Sequence, residues 1–143
     1  MLRHNFRQLR IWIDSVQLTK DIYQLTQKFP KEHKFGLSSQ LYRASVSIPS
    51  NIAEGSARKT DKDFSHFLTI SLGSAFELET QIVVAQLCDI APGFDYPVLI
   101  SRIQSLQKQI TSSTIPFLSP NFLSSLIREK IPLSFVSKFI FAP

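Results

Sequence analysis

Apolar residues recur every three or four positions through four stretches of this chain, and no strand signal of any strength precedes residue 111. That pattern restricts the chain to a helical fold. In the first stretch, about residues 5–29, Leu9, Ile13, Val16 and Tyr23 form one stripe. Leu18, Ile22, Leu25 and Phe29 form a second beside it, which predicts a helix buried on more than one side. Lys20 falls inside the first stripe and has to snorkel or pair. Pro30 stops this helix, and the charged residues 30–34 with Gly36 read as a connection. In the second stretch, residues 38–58, Leu41, Ala44, Ile48, Ile52 and Gly55 share one face. Pro49 lies inside that pattern and is expected either to kink the helix near Ser45 or to start a new one.

The third stretch opens on Thr60 with Asp63 three residues on, a variant of the capping box. Phe64, Leu68, Leu72, Ala75, Glu79 and Ile82 then follow at helical spacing, with Phe67, Leu78 and Val83 widening the face, until Pro92 and Gly93 end the segment. The fourth is a narrow stripe of Leu99, Ile103, Leu106 and Ile110. Helices near 6–29, 38–58, 61–88 and 96–110 with short connections predict an all-α fold, an antiparallel up-down four-helix bundle over residues 1–110. Residues 111–143 hold four charged residues and five phenylalanines, and their apolar residues show no period. They read as an irregular Ser/Pro/Phe-rich C-terminal tail, with a short helix at 121–131.

Little in the chain suggests catalysis. Cys88 is the single cysteine, and it reads as a buried structural residue rather than a nucleophile. His4, His33 and His66 lack metal-ligand spacing, so neither a metal nor another cofactor is expected. There is no Gly-rich phosphate loop and no nucleophile elbow. The start MLRHNFRQLR has no apolar run, and the uncharged run 109–127 contains Pro116, Pro120 and five serines. These features predict a cytoplasmic protein without a signal peptide or membrane span.

Charge is unevenly placed. Of a net +5, residues 1–60 contribute +6 and residues 61–143 contribute −1. A basic half beside a near-neutral half fits a polyanion ligand, and it also fits a solvated basic face. The candidate phosphate contacts are Arg3, Arg7, Arg10, Lys28, Lys31, Lys34, Arg58 and Lys59. Aromatic stacking platforms are not evident in the sequence, which favours backbone contact without base readout.

Polar residues inside the helices form a second group. Arg43, Ser47, Asn51 and Glu54 share a face, and Glu77 and Glu79 interrupt the apolar third helix. Charges there need partners, and Arg43 or Arg58 with Glu77 or Glu79 is the expected pairing. The group reads as a structural network. An acid–base pair of Glu54 with one of the other glutamates is the catalytic alternative, and the weaker one.

The string QLYRASVSIPSNIAEGSAR at 40–58 resembles the signature of the four-helix-bundle proteins encoded by intervening sequences of bacterial 23S ribosomal RNA genes. So do FRQL at 6–9 with Trp12, FPKE at 29–32 with Gly36 and Leu37, and GSAFELET at 73–80. The resemblance covers about residues 5–110 and stops before the tail. It implies an up-down bundle and a ring-shaped homo-oligomer, usually a pentamer, with no established enzymatic activity. It also implies kinship with accessory subunits of diversity-generating retroelements, which bind nucleic acid and a reverse transcriptase. Two functions stand ahead of an enzyme. One is a homo-oligomer that binds RNA or DNA through the basic residues, and the other is a protein-interaction scaffold that meets an acidic partner.

Overall fold

The computed structural model describes residues 5–114. Arg3, His4 and the helix expected at 121–131 lie outside them. The described residues form four α-helices and two short 3-10 turns, with no strand among them. The helices are α1 (Arg10–Thr26), α2 (Leu37–Ser56), α3 (Asp61–Leu87) and α4 (Tyr96–Thr114).

The helix boundaries that differ most from expectation are the start of α1 and the end of α4. The chain does not enter α1 at residue 6. Phe6–Gln8 is a 3-10 turn closed by the Asn5 side chain, which accepts the Arg7 N–H at 3.2 Å. Leu9 is then extended (φ −74°, ψ 121°), and the α-helix starts at Arg10. The Phe6 ring meets Trp12 edge-on at 5.0 Å, which fixes the entry of the chain. At the other end of the bundle, α4 runs four residues beyond the predicted 110. Thr111, Ser112 and Ser113 donate their hydroxyls to the carbonyls four residues earlier at 2.9 Å, so these polar residues continue the helix rather than starting the tail.

Pro49 sits within one continuous α2, so of the two expected outcomes, a kink near Ser45 or the start of a new helix, the second does not occur. A proline leaves the carbonyl four residues earlier without its N–H donor. That carbonyl belongs to Ser45, and the Thr19 hydroxyl of α1 reaches it at 2.9 Å, sharing its one proton with the Ser15 carbonyl at the same distance. The unmet acceptor of one helix is thereby met by its neighbour. Thr60 caps α3, accepting the Asp63 N–H at 3.1 Å while donating its hydroxyl to the Asp63 carboxylate at 2.6 Å. Asp89 ends α3 at φ 49°, and the Ile90 N–H returns to the Ala85 carbonyl. Asp95 accepts the Val98 N–H at 3.2 Å and starts α4, where Pro97 lacks only a donor that the first turn would not use.

Contacts join α1 to α2, α2 to α3, α3 to α4 and α4 back to α1, enclosing one core. Leu41, Ala44, Ile48 and Ile52 of α2 and Leu99, Ile103, Leu106 and Ile110 of α4 are all buried, as their spacing predicts. Gly55 allows α2 to approach α3, because a Cβ there would lie 2.6 Å from the Phe67 Cβ. Small hydroxyl residues line the same seam: buried Ser71 of α3 donates to the Ile48 carbonyl at 3.1 Å. Tyr96 closes one end, its hydroxyl accepting the Ala91 N–H at 3.2 Å, and burial holds its phenol above the usual range.

The first helix departs from its pattern. Leu18, Ile22, Leu25 and Phe29 are buried with Ile11 and Ser15, but Ile13, Val16 and Tyr23 of the other predicted stripe are exposed. The two stripes lie on opposite sides of the helix, and the described chain has only enough neighbours to cover one. Lys20 lies on the exposed side and needs no partner.

Candidate nucleic-acid interface

Of the candidate phosphate contacts, five lie at the two ends of α1, which at 17 residues spans about 25 Å. Arg7 and Arg10 mark its start, and Lys28, Lys31 and Lys34 surround its end and the connection to α2. Arg58 and Lys59 follow the last turn of α2. These residues are exposed, but their environments differ. Arg10 is bound to Asp14 at 3.0 Å, one turn along α1. Arg58 is paired with Glu54 and covers the Phe67 ring, 4.4 Å from its centroid. Arg7 lies over Phe6 at 4.8 Å.

Around the α1–α2 connection, no ion pair among the described residues ties Lys28, Lys31 or Lys34 to a carboxylate. Lys28 lies 5.4 Å from the Phe94 centroid and Lys34 lies 5.6 Å from that of Phe35. Lys31 and Lys34 line a cavity of about 540 Å³ together with Tyr23, Phe35 and Tyr42. Tyr23 and Tyr42 meet edge-on at 5.9 Å. The sequence reading found no aromatic platform because these rings come from three separate segments. Only the turn after Phe29 brings them together.

The expected polar network is not one unit. Ser47 and Asn51 do meet: the Asn51 amide donates to the Ser47 hydroxyl at 3.0 Å, and that hydroxyl bonds Ser74 of α3 at 2.9 Å. Glu54 stands apart in its exposed pair with Arg58. Arg43 and Glu77 line the same cleft of about 440 Å³ with Ser47, but no ion pair joins them. Glu77 instead accepts from Gln81 at 2.9 Å. Glu79 faces α4, where Gln104 and Gln107 donate to it at 2.8 and 2.6 Å. Two positions along a helix are about 200° of rotation, so Glu77 and Glu79 cannot serve the same neighbour. The pairing of Arg43 or Arg58 with these glutamates is therefore absent among the described residues, and Glu54, Glu77 and Glu79 have separate partners. Cys88 is also corrected: it is exposed, lying just beyond the last turn of α3.

Sequence reasoning merged two faces of α3 into one: it set Leu72 and Val83 on a single apolar face and left out Phe76 and Leu87. Leu72, Phe76, Val83 and Leu87 recur at spacings of four, seven and four, with Thr80 between them and no charged residue among them. Phe76 is 53% exposed and Leu87 80%. The helix is thus apolar on both sides, and it is long and apolar enough to cross a membrane by length and composition. Its inner side, however, is closed by α2 and α4, with Leu68, Leu78 and Ile82 buried. The signal was present as a second period of three to four in the same segment.

Comparison with known proteins matches the chain to a family. Residues 7–112 fit the model of a family described as 23S rRNA-intervening sequence protein. No curated protein matches the chain.

Proposed function

Because the chain belongs to the 23S rRNA-intervening sequence protein family, we propose that it is a non-catalytic homo-oligomer that binds nucleic acid, RNA in the first instance, through its basic residues. The protomer in this reading is an antiparallel up-down bundle. Cross-helix contacts support it: Thr19 meets Ser45 and Tyr23 meets Tyr42, so the partner number falls as the first rises. The same descent links Ser71 to Ile48 and Phe67 to Gly55, then Gln107 to Ala75 and Gln104 to Glu79.

The observation that carries the reading is the pair of uncovered apolar stripes. In an up-down bundle α1 and α3 are diagonal neighbours, so their outer stripes lie on opposite flanks. Ile13 and Val16 on one flank and Phe76, Val83 and Leu87 on the other are different patches. Contact between unlike patches is head-to-tail, the type that closes rings. The pentamer implied by the family resemblance is one such ring. Assembly repeats the basic residues once per subunit, so modest phosphate contacts add through avidity. The separate partners of Glu54, Glu77 and Glu79 support the non-catalytic part of the reading.

The test is binding of single-stranded RNA to the full chain as salt rises. Affinity should lie in the micromolar range or below at about 50 mM salt and collapse by about 200 mM, as counterion release requires. Reversal of Arg7, Arg10 and Lys34 to Glu should weaken binding to all sequences alike, since phosphate contacts carry no base information. No binding at about 50 mM salt, or indifference to the triple reversal, would overturn this reading in favour of a protein scaffold.

A further inference from the structure

The cavity at the α1–α2 connection has a feature that a solvated basic loop would not produce. Ser38 is 8% exposed, and its hydroxyl oxygen is buried without a hydrogen-bond partner. The residue lines the cavity from the first turn of α2. That turn has no side-chain cap and no acidic residue, so the first N–H groups of a 20-residue helix lack the acceptor a cap would bring. The helix dipole places partial positive charge at the same point. Lys31 and Lys34 add two formal charges, and none of the residues lining the cavity is acidic. An orphaned hydroxyl, an uncapped helix start and two lysines converge on one acceptor-rich, negatively charged group.

The remaining wall is aromatic. Tyr23 and Tyr42 stand side by side, and Phe35 is 91% exposed with the Lys34 ammonium over its ring. A phosphate alone would leave these rings in water. A flat aromatic group joined to the phosphate would cover one of them, and the cavity of about 540 Å³ is of ligand size.

We propose that this cavity binds a nucleoside phosphate, with the phosphate at the start of α2 against Ser38, Lys31 and Lys34 and the base stacked on the Phe35 or tyrosine rings. The assignment deepens the nucleic-acid reading above and rests on it for the biological source of the ligand. The same unit occurs as a free nucleotide and as one residue of a single strand.

Titration calorimetry on the full chain separates these outcomes, using adenosine 5′-monophosphate, adenosine, inorganic phosphate and a short single-stranded oligoadenylate. The monophosphate should bind, with adenosine and phosphate each about tenfold weaker or worse, since each lacks one half of the contacts. Lys31→Ala with Lys34→Ala should weaken the monophosphate about tenfold, and Phe35→Ala about fivefold. Ser39→Asp is a variant that should stay folded. It adds an acid to the helix start, so the Tm should hold or rise while monophosphate binding is lost. Oligoadenylate binding much more tightly than the monophosphate, with both sensitive to the lysine pair, assigns the polymer as source. Equal affinity assigns the free nucleotide.

No monophosphate binding by about 5 mM, binding indifferent to these variants, or phosphate binding as tight as the monophosphate would overturn the proposal. RNA binding that persists in the first of these cases leaves the broader function standing. Monophosphate binding without RNA binding overturns the broader function and keeps the site.

Discussion

The two sides of α3 are built from the same kinds of residue and meet opposite surroundings. Leu68, Leu78 and Ile82 on one side are closed to solvent, while Phe76, Val83 and Leu87 on the other are exposed. Helix α1 repeats the contrast, with Leu18 and Ile22 inside and Ile13 and Val16 outside. Apolar character alone therefore does not mark the core of this chain. What separates the sides is the company they keep. The inner side of α3 faces Gly55 of α2, which lets the two backbones approach. The outer side has no such counterpart among the described residues. One side folds the protomer, and in the proposed assembly the other joins protomers.

The contrast can be broken from the inside first. Ile82→Ala should cost about 2–5 kcal/mol and lower the Tm at every protein concentration, since it opens a cavity in a site with no solvent access. Gly55→Ala should cost about 1–3 kcal/mol by overpacking, because the new Cβ meets the Phe67 backbone-proximal carbon rather than a flexible tip. Chemical denaturation followed by circular dichroism measures both. On the surface, Glu54→Gln should change stability by no more than about 0.5 kcal/mol, because its pair with Arg58 is 43–57% exposed and screened by solvent. A larger loss would show that Glu54 does belong to a buried network.

Much of the inner framework was legible in the sequence. The stripes of α2 and α4 are regular, and their branched aliphatic residues occupy one face each. Thr60 and Asp63 announced the start of α3, because a cap depends only on near neighbours. The outer stripes were harder. In α1 both stripes were visible, but nothing in a sequence tells which one the remaining helices can reach. The polar residues were misgrouped for a geometric reason. Glu77 and Glu79 are close in sequence and far apart around the helix, so one turns to its own α3 neighbour Gln81 and the other to Gln104 and Gln107 of α4. Thr19 had a readable cue that was not used: Pro49 frees the Ser45 carbonyl, and a hydroxyl at the right height on another helix is its natural donor. The cavity residues Tyr23, Phe35, Ser38 and Tyr42 had no cue of this kind, since only the tertiary fold gathers them.

The central claim is that the outer stripes are an interface between copies of this chain. Sedimentation velocity on the full chain and on the double variant Phe76→Glu/Leu87→Glu tests it most directly. The account predicts that the unaltered chain sediments as a closed oligomer at micromolar concentration. The variant should keep its helical signal and sediment as a monomer of 16.3 kDa. Exposed substitutions of this kind change protomer stability by about 0.5 kcal/mol or less, so loss of assembly would not reflect loss of fold. An unaltered chain that sediments as a monomer, or a variant that assembles as the unaltered chain does, would contradict the claim.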